Sequence, residues 1–451
     1  MKKNIDLLVA IIFLVSSSVI AQGKKEGSSA IPVSMEINRN ITDEQLLDLV
    51  QKQTFRYFWD FAHPVSGLAR ERSNEAYNYG NEVVTTGGTG FGVMAILVAI
   101  ERKWISREEG RDRLLKMIDF LRKADSYHGM WPHWLNGETG KVIPFSRRDD
   151  AADMVESAFL FQGLLCVRQY FNGSDPKEEE LRNKINWTWN EADWNWFTQG
   201  GRNVLYWHWS PNYGWAMNFE LRGWNECLIA YILAASSPSS PIDPQVYQKG
   251  WTNSSFFKNG KEYYGIKLPL GFDYGGPLFF SHYSFLGLDP RGLKDQWADY
   301  WEQNKNHTLI NREHCVRNPK KFKGYGPDCW GLTASDNHEG YNAHSPDNDL
   351  GVISPTAALS AFPYTPEYSM QALRHFYKDL GPKIWSEYGF VDAFNESKNW
   401  YAKSHLAIDQ GPIIVMIENH RSGLLWKLFM SCPEIQNGLK RLGFQSPHIK
   451  S

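Results

Sequence analysis

Cysteine is scarce in this chain. Five residues in 451 are too few for a disulfide framework. Cys166 and Cys227 stand in apolar helical runs and read as buried thiols. Cys315 and Cys329 lie in a loop-rich region and could pair in an oxidising compartment, leaving Cys432 single. An excess of one charge is also missing. With 48 basic and 50 acidic residues the net charge is -2, and there is no basic stripe for nucleic acid and no charged interaction tail. The chain carries no P-loop, GxGxxG, HExxH, CxxC pair or GxSxG, which argues against nucleotide, zinc-peptidase and serine-hydrolase chemistry. Strand patterns are few: KNGKEYYGIKLPLGFDYGG and RNVLYWHWSP read as short hairpins. Near the start, LLVAIIFLV follows Lys2 and Lys3, and Val19 and Ala21 supply a small-residue cleavage site. This reads as an export signal over residues 1–21, too short for a comfortable membrane span. Residues 22–40 read as a flexible leader and 41–451 as one folded domain. The mature chain is expected to be exported, periplasmic or secreted, monomeric, and without an integral membrane segment.

Helical signals and aromatic residues are what the chain does have. Thr42 and Gln45, and again Ser106 and Glu109, form capping boxes ahead of helical patterns. Residues 90–101, 151–167 and 226–236 are apolar on nearly all sides, whereas 107–124 and 176–197 carry a charged face. This alternation predicts an all-α fold in which inner helices are ringed by amphipathic outer ones, with long loops forming a binding face. The 19 Trp, 21 Tyr and 25 Phe include several Trp in polar loops, such as GMWPHWLNG and YGPDCWGLTASD. Trp beside loop polar groups suits stacking on sugar rings, although a Trp anchored under its own loop has the same signature. Trp131, Trp134, Trp330, Tyr341, His344 and Arg147 are the expected substrate contacts. The loop ASDNHEGYNAHSPDNDLG lacks the EF-hand pattern and reads as sugar-binding without a metal.

Carboxylates are the chemical candidates. In RRDDAADMVESAFLFQGLL, Asp149, Asp153 and Glu156 fall within an arc of roughly 60° on a helix, above an apolar stripe, so they are expected to point inward. Helix capping is the rival reading for Asp149 and Asp150; it explains Asp153 and Glu156 less well. Glu226 in GWNECLIAYILAA heads a second apolar helix, suited to a proton donor of raised pKa, with a buried pair to Arg222 as the alternative. Asp409 in AIDQGPIIVMIEN heads a third, with an N-cap as its alternative. Glu418 reads as structural or substrate-contacting.

TTGGTGFGVMAI, RRDDAADMVESAFL, GWNECLIAYILAA, GYGPDCWGLTASD, PTAALSAFPYTPE and AIDQGPIIVMIENHRSGLLWKLFM together resemble the bacterial glucoamylase-like proteins. More narrowly, they resemble glycoside hydrolase family 144, the β-1,2-glucan-degrading enzymes, from about Thr42 to Phe444. The resemblance implies an (α/α)6 barrel and inverting hydrolysis of β-1,2-glucan or its oligosaccharides; the chemistry is expected to need no metal or other cofactor. By motif, it maps the family's acidic residues onto Asp149, Asp153, Glu156, Glu226 and Asp409. The expected mechanism has Glu226 as proton donor, Asp153 or Asp409 activating water, and Asp149 and Glu156 orienting the sugar. An inverting pair needs roughly 6.5–9.5 Å between its carboxyls. An α-glucan hydrolase and a non-catalytic glycan-binding protein are the alternatives.

Overall fold

Outer and inner helices alternate along the chain. The structure, a computed structural model, describes residues 36–74 and 80–449; the expected export signal and most of the leader lie outside them. Outer helix α1 (Asp43–Trp59) leads to inner helix α2 (Thr86–Glu101). In the same way α3 (Arg107–Leu121) leads to α4 (Met154–Tyr170), and α5 (Pro176–Glu191) to α6 (Leu228–Ser236). The fourth pair is irregular: a π-helical turn, Val246–Trp251, leads to the 3-10 segments Leu278–Ser281 and Tyr283–Phe285. Next α7 (Tyr300–Arg317) leads to the short α8 (Pro355–Leu359). Then α9 (Pro366–Lys378) and α10 (Gly381–Ile384) lead to α11 (Ala407–Arg421), which packs back against α2. This is an (α/α)6 barrel. Helices α12 (Leu424–Met430) and α13 (Pro433–Leu442) brace α4 and α6 from outside.

The inner helices are inner because their sequences offer no wet face. Every residue from Thr86 to Ile100 of α2 is buried, and so is all of α6. The seam between α2 and α4 is set by glycine: a Cβ on Gly90 would stand 2.3 Å from the Phe159 carbonyl oxygen, and one on Gly163 2.3 Å from that of Gly90. Only hydrogen at both positions lets the two backbones touch. The predicted capping boxes of Thr42 and Ser106 both form, each contributing about 1 kcal/mol.

Four local expectations are corrected. Helix α4 begins at Met154, so Asp149 and Asp153 do not share a helical stripe with Glu156. Asp153 is the N-cap: its Oδ1 accepts the amides of Val155 and Glu156, and an aspartate that bonds these amides ends the helix at itself. The RNVLYWHWSP segment does not fold on itself; its His208–Trp209 strand pairs with Ala152–Asp153. The patterned segment 176–197 breaks after Glu191, and Trp194–Thr198 forms a separate 3-10 turn. The KNGKEYYGIK hairpin forms as expected, pairing Glu262–Tyr263 with Ile266–Lys267. All five cysteines are buried free thiols, Cys315 and Cys329 included. Among the described residues no helix is long and apolar enough to cross a membrane.

Candidate active site

The predicted acids gather where the inner helices begin. Asp153 caps α4, Glu156 lies in its first turn, Glu226 comes just before α6, and Asp409 sits in the first turn of α11. Helix N-termini carry partial positive charge that favours carboxylates. Glu156 is bound to the first turn of a neighbour as well, where its Oε2 accepts the Gly87 amide of α2 at 2.8 Å.

Asp153 is fully buried and its oxygens are committed. Besides the two helix amides, Oδ1 accepts Trp207 Nε1 at 2.8 Å, and Oδ2 stands 3.1 Å from His133 Nδ1. Burial alone would hold His133 neutral, but Glu156, Asp153 and Asp149 surround it and push its pKa up to about 10. His133 is therefore an imidazolium donating to Asp153. Asp149 Oδ2 lies 3.3 Å from His208 Nε2. Burial opposes the charge of Asp149, yet the His208 imidazole outweighs it and holds the carboxyl below the ordinary range. Asp149 caps nothing; it closes a turn with Ser146 on a strand-like approach to α4. The ligand atoms of His133, Asp149 and Asp153 all lie within 4.8 Å of one another, and this is one place where the chain could hold a metal ion. Cys329, His375 and Glu396 form another.

Glu226 differs from the other four acids. Asp149, Asp153, Glu156 and Asp409 are buried, whereas Glu226 keeps part of its surface open to water. The surrounding protein still desolvates it, and with the negative charges of Glu156 and Asp153 pushes its pKa up to about 7. Arg222 does not neutralise it; that guanidinium pairs with Glu220. Glu156 is also pushed to about 7, chiefly by burial, but it is closed off and bonded to Gly87. Asp409 is not an N-cap, since Leu406 holds that position without a side-chain bond. Burial raises Asp409 to about 7. Tyr283 ties the groups together. Burial holds its phenol well above the ordinary tyrosine range, and Asp409, Tyr341, Glu226 and Glu156 all add to the effect.

A family model described as "Putative glucoamylase" matches residues 218–433. An endo-β-1,2-glucanase from Chitinophaga pinensis, solved with sophorotriose and glucose, is 59% identical; the match covers 90% of this chain and 100% of that one, with a TM-score of 0.89. The chain belongs to glycoside hydrolase family 144. A second family structure, from Bacteroides uniformis and described as a "putative glucoamylase", is 64% identical over 91% of this chain and 100% of that one, with a TM-score of 0.89. An exo-β-1,2-glucooligosaccharide sophorohydrolase acting at the non-reducing end, from Parabacteroides distasonis, is 46% identical over 423 residues, or 89% of this chain. The chain spans 58% of the length of that relative.

In this family 144 chain the expected sugar contacts fall at different depths. Trp131 and Trp330 lie in the core, and Trp131 Nε1 donates to the Leu121 carbonyl; both anchor loops from below. Trp134 is buried in the strand Trp134–Asn136, with its ring against Phe145. Arg147 is exposed on the turn before Asp149, and Tyr341 is half-buried on the hairpin Ala334–Asn337/Gly340–Ala343. His344 is buried, which lowers its pKa to about 4. Asp349, in the same loop, is structural: it accepts from Tyr325 and lies 2.8 Å from His314 Nε2. Sequence reasoning missed His133, His208, Trp207 and Tyr283. The only available signal was the polar-aromatic composition of WPHWLN, YWHWSP and SHYSF.

Proposed function

We propose that this chain hydrolyses β-1,2-linked glucan or its oligosaccharides with inversion at the anomeric carbon. The observation that carries the reading is Glu226, the one acid of the five that is open to water and also pushed up to about 7. It is protonated near neutral pH and suited to donate to the departing glycosidic oxygen. Asp153 is unsuited to take a proton from water, because four donors occupy it. Asp409 is the base in this reading; it ionises as pH rises through about 7, the range over which Glu226 gives up its proton, so turnover is confined to the pH region around that value. Asp149, Asp153 and Glu156, braced by His133 and His208, hold the opposing wall and orient the sugar. The 59% identity to a protein named as an endo-β-1,2-glucanase supports the substrate. The chain acts as a monomer after export; the lysine-led apolar start supports export, and fractionation of producing cells tests it.

Incubation with linear β-1,2-glucan, and separately with maltooligosaccharides, tests the activity by the reducing ends released. Sophorose-type products from the first substrate alone, appearing as the α-anomer in the first minutes by proton NMR, are expected. Release from maltooligosaccharides alone overturns the substrate, an initial β-anomer overturns inversion, and binding without any product leaves a glycan-binding protein.

A further inference from the structure

Away from the acid cluster, three metal-ligating side chains from three separate segments converge. The Cys329 sulfur and ligand atoms of His375 and Glu396 all lie within 4.8 Å of one another. Cys329 is a buried free thiol closing a tight turn, in which the Gly326 amide donates to the Cys329 carbonyl at 3.1 Å. His375 lies in the last turn of α9. Glu396 opens the 3-10 turn Glu396–Lys398, directly after the strand Phe394–Asn395. His375 and Glu396 are both half-buried, so the cluster opens to the surface with its sulfur inside.

The histidine and the glutamate are both held for a ligand. His375 Nδ1 stands 3.0 Å from Asp379 Oδ2. A carboxylate on one ring nitrogen fixes the ring and leaves the other, Nε2, to a metal. Glu396 lies against the backbone that leads to Cys329. A Cβ on Gly324 would stand 2.4 Å from Glu396 Oε1, so only hydrogen there gives the carboxylate its place. Lys383, a cation that feels the charge of Glu396, donates instead to the Tyr401 hydroxyl at 2.8 Å. The His133, Asp149 and Asp153 group lacks this freedom. His133 Nδ1 is spent on Asp153 Oδ2, and Asp153 is occupied by four donors.

We propose that Cys329, His375 and Glu396 hold a structural divalent cation of the zinc type. A thiolate, an imidazole and a carboxylate suit zinc, whereas calcium and magnesium take oxygen ligands. A tetrahedral zinc ion sets its ligand atoms about 3.3–3.6 Å apart, so the side chains must close by about 1 Å. Rotation of the two half-buried side chains supplies that movement. Binding releases the thiol proton to solvent, and thiolate plus carboxylate then balance the two charges of the ion. Water fills the fourth position, and the ion takes no part in hydrolysis. It pins α9 to two loops that meet beside it, where the Lys323 amide donates to Ser397 Oγ at 2.7 Å. The loop of Cys329 leads into the hairpin that carries Tyr341, and the loop of Glu396 leads into α11 with Asp409.

The test titrates the full chain, kept reduced, with cobalt(II) as a spectroscopic substitute for zinc. The wild type should develop the near-ultraviolet thiolate-to-cobalt charge-transfer band, saturating at one ion per chain, and added zinc should remove the band by displacement. C329S, checked for fold by circular dichroism, should show no band. H375A and E396Q, altered at half-buried positions, should keep the fold and weaken zinc binding by on the order of 10²-fold, and D379N by roughly tenfold, in competition with a chelating dye. Zinc should raise the Tm of the wild type and leave that of C329S unchanged. Absence of the band from the wild type overturns the proposal. A band that survives in C329S, or zinc affinity unchanged in both H375A and E396Q, overturns it too. An ion held by His133, Asp149 and Asp153 gives no thiolate band and is not mistaken for this one.

Discussion

The Gly87 amide donates to Glu156 Oε2 at 2.8 Å, joining the first turns of α2 and α4. Glycine is required there by proximity. A Cβ on Gly87 would stand 2.4 Å from Glu156 Oε2 and 3.0 Å from Phe159 Cδ2. Gly87→Ala must therefore displace Glu156, and the helix behind it leaves little room to yield. We expect a loss of about 1–3 kcal/mol in urea denaturation together with a reduced kcat. A variant of unchanged stability and turnover would show that Glu156 needs no fixed position.

Glu226→Gln should fold normally and lose on the order of 10³-fold in kcat, since glutamine cannot donate the proton. In the wild type the donor must be protonated, and Glu226 is pushed up to about 7. Activity should accordingly fall as pH rises above about 7. An activated substrate with a phenolate-like leaving group needs no protonation and should recover most of the loss in Glu226→Gln. Recovery as poor as with glucan would move the acid role away from Glu226.

The same glutamate makes stability depend on pH with a definite sign. Its folded pKa is about 7 and its ordinary value 4.5, so the folded chain binds the proton more tightly. The stability linked to Glu226 is fully present below pH 4.5 and is lost as pH rises through about 7, because an unpaired charge is then forced into a desolvated position. The full shift corresponds to about 3 kcal/mol. Glu226→Gln should thus be relatively more stable than the wild type above this window. Denaturation midpoints measured across it that keep a constant difference would refute the linkage.

Much of the barrel was legible in the sequence, because a helix apolar on all sides has only one place to go. The segments that became α2, α4 and α6 carry that pattern, and the boxes of Thr42 and Ser106 mark where outer helices start. The fourth pair was not legible: its inner member, around Leu278–Phe285, is a run of 3-10 turns too short to show a period. The carboxylates singled out in the sequence do lie where inner helices begin, but their surroundings were not legible. Spacing placed Asp153 on a helical face, whereas the side chain itself ends the helix and is then saturated by Trp207 and His133, which arrive from other loops. Trp131 and Trp330 misled because an indole in a polar loop is large enough to be that loop's own core.

Glu418 shows how a buried acid at the far end of an inner helix differs from the site. It lies nine residues beyond Asp409 on α11, about 13 Å along the axis. Its two oxygens take Arg102 Nε at 2.8 Å and Nη2 at 3.0 Å, and Ser422 Oγ adds a donor at 2.6 Å. The carboxylate is almost wholly buried, so removing the guanidinium leaves a charge without compensation. Arg102→Ala should cost about 3–5 kcal/mol in denaturation experiments. Glu418→Gln in the same background should restore part of that, because the stranded charge is then gone, and a double-mutant cycle isolates the coupling. The folded fraction of Arg102→Ala should keep the wild-type kcat and KM. A fall in kcat or a rise in KM with stability intact would instead place Glu418 on the substrate, where its sequence alone allowed it to be.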